Sequence, residues 1–373
     1  CYNKRMKRLK KTRLLIAAAL FAAGMIGIAG YYIFRDLPQV MTAARDGFAH
    51  VWRTALGAAT AWIPFSVYEA GVTLLALCAL LWLCKTIYLA VRRSFRRAVF
   101  RRLIPAAVAG IWVWALFLWT WCAGYYAVPF YDGVLTGGGV TAAQLEGAAR
   151  YFLAGANEYA ERVPRTGDGS VVLGSLRDAA RVYSNLSEEL RLPDSPAAPK
   201  PMLYSKLMSS LQFTGVYMAI TGEANVNVDC PAALIPCTAA HELAHARGVA
   251  REGEADFFGI LACITADESL LEYRYSGYLT GLIKLGNALY RANPGRYYAL
   301  AAEYSELVLA DLRREGEYWA RYQQTAASAA VMSAYDSYLK SNGQEDGARS
   351  YEQSADLLAE WWSVTHGNAG APN

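Results

Sequence analysis

The stretch His241-Glu242-Leu243-Ala244-His245-Ala246-Arg247-Gly248-Val249-Ala250-Arg251-Glu252-Gly253-Glu254-Ala255-Asp256 decides how this chain is read. It holds two of the four histidines, four residues apart around a glutamate. On a helix, residues i and i+4 lie on one face about a turn apart, so His241 and His245 can reach a single metal ion. Glu242 then points close to the same ion, where a carboxylate can hold and deprotonate a water. A purely structural metal site has no need of that glutamate.

Two imidazoles do not complete a catalytic zinc site, which usually takes three protein ligands and leaves a position for water. On one continuous helix Glu252 would lie about 10 Å along the axis from His245, at ~1.5 Å per residue, and could not share the ion. The helix must break, and Gly248 is the residue suited to end it in the left-handed conformation. A second helix starting near Arg251 can then turn back toward the first. Glu252 and Asp256 share one face of that helix, while Glu254 points roughly the other way. Glu252 is therefore expected as the third ligand, with Glu254 the alternative. Asp256 is expected to accept a hydrogen bond from a ligand histidine. Arg251 stands where the metzincin pattern has its third histidine, which disfavours that class.

Outward from this segment, the 373-residue chain is 54% hydrophobic, with the apolar excess at its front. Residues 1–102 carry 17 Lys/Arg against 3 Asp/Glu, a charge of +14, and residues 103–373 carry 19 against 29, a charge of −10. Positive charge beside apolar runs marks a membrane interface, whereas nucleic-acid binding would want it on the folded domain; nucleic acid is not expected as a partner. Three runs have the length of membrane helices, about 14–34, 70–91 and 103–127. The first is too long for a signal peptide and lacks a good cleavage site. Lys4, Arg5, Lys7, Arg8, Lys10, Lys11 and Arg13 precede the first span, and Arg92 to Arg102 join the second to the third. Basic loops stay on the cytoplasmic side, so the N-terminus is expected inside the cell and everything after residue 127 outside.

The expected organisation is a basic cytoplasmic tail (1–13), a three-span membrane domain (14–127), a linker (128–140), an extracytoplasmic domain (141–366) and a frayed tail (367–373). An amphipathic stretch, Met41 to Ala55, is expected along the outer membrane surface. Thr141 is a plausible N-cap for a helix to about Glu161. Further helices are expected at Ser175–Leu190, near Tyr204–Leu211, and at Ala255–Ala266, Gly277–Arg291, Gly295–Glu317, Tyr318–Ser341 and Tyr351–Trp362. The one β signal is a hairpin, Gly215–Ile220 and Asn225–Val228 around a Gly-containing turn. The fold class is mainly α (α+β). A Cys230–Cys237 bridge is chemically allowed in an external domain.

The sequence His-Glu-x-x-His (241–245) followed by Glu-x-x-x-Asp (252–256) resembles the gluzincin peptidases. Gly222-Glu223-Ala224-Asn225-Val226-Asn227, Tyr338 to Gly343 and Ser350-Tyr351 resemble more closely a bacterial family of multi-span membrane proteins placed in that clan. The resemblance covers the three-span front and most of the external domain. It implies a zincin-like domain with His241, His245 and Glu252 on Zn2+ and Glu242 as catalytic acid/base; no substrate comes with it. The chemistry expected is hydrolysis of peptide bonds by zinc-activated water, with a peptide or protein as substrate and the lipid bilayer as surroundings. An oxyanion also needs a donor besides the metal. Tyr351 and His366 are candidates by residue type, with Tyr351 favoured by the resemblance. The alternative function is a non-catalytic membrane sensor or assembly protein with a degenerate or structural metal site.

Overall fold

The computed structural model describes residues 2–92, 95, 102–322 and 325–367. Cys1, most of the arginine cluster between the second and third runs, and the expected frayed tail beyond Gly367 lie outside them. The chain divides into two compact units: Cys1–Ala49 with Tyr68–Ala127, and His50–Val67 with Val128–Asn373.

Three helices of the first unit are long and apolar enough to cross a membrane: Leu14–Phe34, Val67–Arg92 (which begins at the unit boundary) and Ile104–Tyr126. Their side chains are largely exposed, as expected for surface that faces lipid rather than water. The first and third pack together through indole donors: Trp112 Nε1 donates to Leu20 O at 3.0 Å and Trp119 Nε1 to Gly27 O at 2.9 Å. Tyr31 is buried between them, edge-on to Trp119 and Tyr126.

The second unit is mainly helical. Thr141 caps the helix Ala142–Arg162 through a capping box with Gln144. That helix packs along Leu271–Ala292, with Phe152 and Tyr278 in ring contact. A small sheet lies against the helix that carries the motif, its strands being β1 (Lys200–Pro201), β2 (Gly215–Met218) and β3 (Glu223–Val226) in the order β1-β3-β2. Strand β2 pairs antiparallel with β3, Gly215 opposite Val226 and Met218 opposite Glu223. Strand β1 adds in parallel on the other edge of β3, within a proline-rich stretch that carries no β signal.

Several expectations are corrected. Residues 175–190 form three short 3-10 turns, Leu176–Ala180, Val182–Asn185 and Glu188–Leu190, rather than one helix. Ser184, Asn185 and Ser187 interrupt the segment, being residues whose side chains compete for nearby backbone groups. The helix expected over 295–317 is two, Pro294–Ala301 and Glu306–Arg321, because Ser305 caps the second through Val308 N. The next begins at Ala326, with Thr325 and Ser328 forming its capping box. The amphipathic stretch divides: residues 50–55 start a helix, His50–Ala61, that packs on β3 and on the motif helix instead of lying free. The residues 50–67 thus cluster with Val128–Asn373 rather than with the three apolar helices. Cys230 and Cys237 are both free; Cys237 faces Cys263 in the core while Cys230 lies beside Tyr318.

Candidate metal centre

The motif helix, Ile235–Arg247, starts with Pro236 in its first turn and stops at Gly248, whose φ is +111°. Val249 N donates to Ala244 O at 3.1 Å and Gly248 N to His245 O at 3.0 Å, closing the last turn on itself. A companion helix, Glu252–Thr265, begins four residues later and runs back along the first. Its opening carboxylates, Glu252 and Glu254, sit at the positive end of the helix dipole. The two helices approach closely: a Cβ on Gly259 would stand 2.9 Å from His241 N and 3.0 Å from His241 Cα.

This crossing brings His241, His245 and Glu252 to one point. Each imidazole Nε2 lies 3.3 Å from Glu252 Oε2, and the three donor atoms fall within 4.8 Å of one another. Ligands at ~2.0–2.1 Å from a tetrahedral ion are separated by about 3.3 Å, the length of the two nitrogen–oxygen edges here. His245 Nδ1 donates to Val249 O at 2.7 Å, and His241 Nδ1 to Asp256 Oδ1 at 2.9 Å. Both rings are thereby held in the tautomer that leaves the Nε2 lone pair facing the centre. Lys284 Nζ donates to the other Asp256 oxygen at 2.5 Å. Tyr335 OH donates to Glu252 Oε1 at 2.6 Å, keeping Oε2 turned toward the histidines.

Glu242, His245 and Glu252 are each at most 5% exposed. Burial opposes a charge on Glu252, but the two histidines outweigh it and hold its carboxyl well below the usual range. Burial likewise opposes a charge on His241, and hydrogen bonds to Asp256 and Glu252 overcome it, raising that pKa. Glu242 goes the other way: burial pushes it up to about 7, against the pull of His241 and His245. Its Oε2 is buried with no hydrogen-bond partner among the described residues, and the carboxyl lies where a Cβ on Gly215 of β2 would be. An unpartnered buried carboxyl next to a cluster of ligand type marks a candidate site.

The expected residues do not all converge. Glu254 faces away from the histidines: its Oε1 accepts from Phe130 N at 2.5 Å, and Arg251 lies 3.7 Å off. The alternative ligand is thereby corrected to an anchor for the chain entering the domain. His366 packs against the rings of Tyr151 and Trp361 instead of joining the cluster. Tyr351 does join it, its ring parallel to His241 at 6.4 Å and its hydroxyl 3.2 Å from that of Tyr335. Tyr335 and Lys284 were not expected. Lys284 had a signal, a single charge inside the apolar run Gly281-Leu282-Ile283-Lys284-Leu285-Gly286; Tyr335 had none.

Residues 45–359 match the family described as protein of unknown function (DUF3810). The chain, a helical protein with three apolar spans, belongs to that family. No curated protein and no solved structure matches it.

Proposed function

We propose that the protein is a membrane-anchored, zinc-dependent peptidase of gluzincin type, its catalytic unit outside the cell membrane and its N-terminus in the cytoplasm. One observation carries the reading: two imidazole nitrogens converge on one carboxylate oxygen, each 3.3 Å from it, beside a buried glutamate whose Oε2 has no hydrogen-bond partner among the described residues. His241, His245 and Glu252 would hold the ion. When bound, zinc supplies Lewis acidity, polarising a carbonyl and making water more acidic.

The chain's own residues do the rest. Glu242 takes a proton from the attacking water and hands it to the leaving amine. Tyr335 fixes Glu252, while Asp256 and Val249 O fix the two rings. Tyr351, stacked on His241, is the hydroxyl we assign to a developing oxyanion.

The burial of Glu242 favours a second reading, a sensor or assembly protein whose metal centre is structural. One experiment separates the two. Full-length protein and its Glu242→Gln variant are purified and assayed for zinc. N-terminal peptide profiles are then compared between cells carrying each form. One equivalent of zinc in both, with new N-termini only in the wild type, supports the peptidase. Zinc in both with identical profiles supports the sensor, and no zinc in either removes both readings.

A further inference from the structure

We propose that the tip of the β2–β3 hairpin rests on the lipid surface, together with the corner that leads into the second apolar helix. Three large apolar side chains are left in the open there: Trp62 is 75% exposed, Phe65 58% and Ile220 54%. Single exposed apolar residues are ordinary, but these three belong to one rigid corner. Thr60 Oγ1 donates to Thr221 O at 3.4 Å, and a Cβ on Gly222 would stand 2.6 Å from Gly57 N. Val67 N donates to Glu223 Oε1 at 2.9 Å. Lys200 Nζ reaches both Thr60 O, at 2.9 Å, and Glu223 Oε1, at 2.5 Å, in a buried ion pair. Hairpin tip and corner therefore move together.

Chain continuity identifies what covers this patch. Phe65 lies two residues before Val67, the first residue of an apolar helix that runs to Arg92. An aromatic pair at the mouth of a spanning helix sits at the level of the lipid headgroups. Ile220, fastened to that corner, is held at the same level. The partner is a bilayer surface, and the contact adds apolar burial to the anchorage the spans already give.

The contact also fixes the height of the metal centre. Gly215, against the Glu242 carboxyl, is five residues from Ile220. Five residues span at most about 18 Å, so Gly215 and the Glu242 carboxyl against it stand within about that distance of the tip, with the centre next to them. Taken with the peptidase reading, on which this last step alone rests, the substrate is a polypeptide that reaches the centre close to the membrane, as a membrane-tethered chain would.

The test uses the full-length chain in lipid nanodiscs of phosphatidylethanolamine and phosphatidylglycerol, and needs no enzymatic activity. The photoreactive residue p-benzoylphenylalanine is placed at position 220, at 65, or at the exposed Leu309 on the helix Glu306–Arg321. Lipid adducts are counted by mass spectrometry after illumination. The expected result is a yield at 220 close to that at 65 and about tenfold above that at 309, the contrast between the acyl boundary and water. A yield at 220 no higher than at 309 overturns the inference, as does a cross-link from 220 to protein in place of lipid. Both outcomes leave the zinc and Glu242 measurements untouched.

Discussion

Replacing Gly259 by alanine is expected to destabilise the second unit and loosen the proposed metal centre, although alanine is the better helix former. The gain in helix propensity is about 1 kcal/mol. Against it stands a Cβ placed 2.9 Å from His241 N, 3.0 Å from His241 Cα and 3.4 Å from Ala240 C. These are backbone atoms of a buried helix, which cannot rotate aside, so the two helices must part by about 0.5 Å. Overpacking of this kind costs about 1–3 kcal/mol. With backbone as the obstacle the upper half of that range applies, leaving a net loss of about 1–2 kcal/mol. Gly316 provides the control: it is exposed in the helix Glu306–Arg321, and nothing lies within 4 Å of its Cβ position. Gly316→Ala should stabilise by up to about 1 kcal/mol. The separation also pulls the two histidines away from Glu252 by more than the ~0.2 Å that metal–ligand distances tolerate, so zinc affinity should fall. Thermal unfolding of the detergent-solubilised chain, with and without zinc, reads both effects. If the two glycine variants shift the melting temperature in the same direction, the close-crossing argument is refuted.

Lys284→Met removes the cation that holds Asp256, which in turn orients His241. Zinc affinity by chelator competition should drop about 10–100-fold, with one zinc still bound at saturation. Glu254→Ala should leave zinc stoichiometry unchanged while costing about 2–3 kcal/mol in thermal stability, since Phe130 N loses a charged, buried acceptor. Glu360 accepts from Thr136 N at 2.7 Å, Thr136 Oγ1 at 2.8 Å and Gly137 N at 2.9 Å. Partial burial works against its charge, yet these bonds hold its pKa below the usual 4.5. Its contribution is therefore present above about pH 4.5 and lost as pH falls through the lowered value. Amide exchange at Thr136 and Gly137, corrected for its intrinsic pH dependence, should accelerate below pH 4 and stay flat at Glu360→Gln.

The parts of this architecture that sequence reveals are those set by local spacing. His241 and His245 declare a shared face, Gly248 declares the stop, and Thr141 with Gln144 declares a helix start. Apolar runs of spanning length need no tertiary information either. What stays hidden depends on partners distant in the chain. Tyr335 meets Glu252 across 83 residues, and β1 is a two-residue strand that exists only because β3 offers an edge. The helix His50–Ala61 has an amphipathic pattern equally suited to lipid or to a protein neighbour; Gly57 against Ala197, and Arg53 buried beside Gly248, settle which face it packs. Ser305 and Thr325 were readable as caps, but the apolar periodicity running past them is the stronger local signal.

Charge at the centre gives the most direct reason to expect a dication. Glu242, Glu252 and Asp256 bring three buried carboxyls together, and Lys284 is bonded to one of them, Asp256. With both imidazoles neutral, two negative charges remain uncompensated in a region nearly closed to water, an arrangement that costs several kcal/mol per ion by about the scale of buried unpaired charge. Without metal the chain answers with protons: the pKa of His241 rises, and that of Glu242 climbs from 4.5 to about 7. A carboxyl whose folded pKa is raised binds its proton more tightly when folded, so stability falls as pH climbs from 4.5 toward 7. In chelator, Glu242→Gln should therefore melt higher than the wild type at pH 8, by up to about 3 kcal/mol from the size of that shift, and close to it at pH 4. Saturating zinc should narrow the gap, because a dication satisfies the carboxylate that the protein leaves alone. Equal melting at pH 8 without metal would mean that Glu242 already has a partner, and that the centre was not shaped around a missing charge.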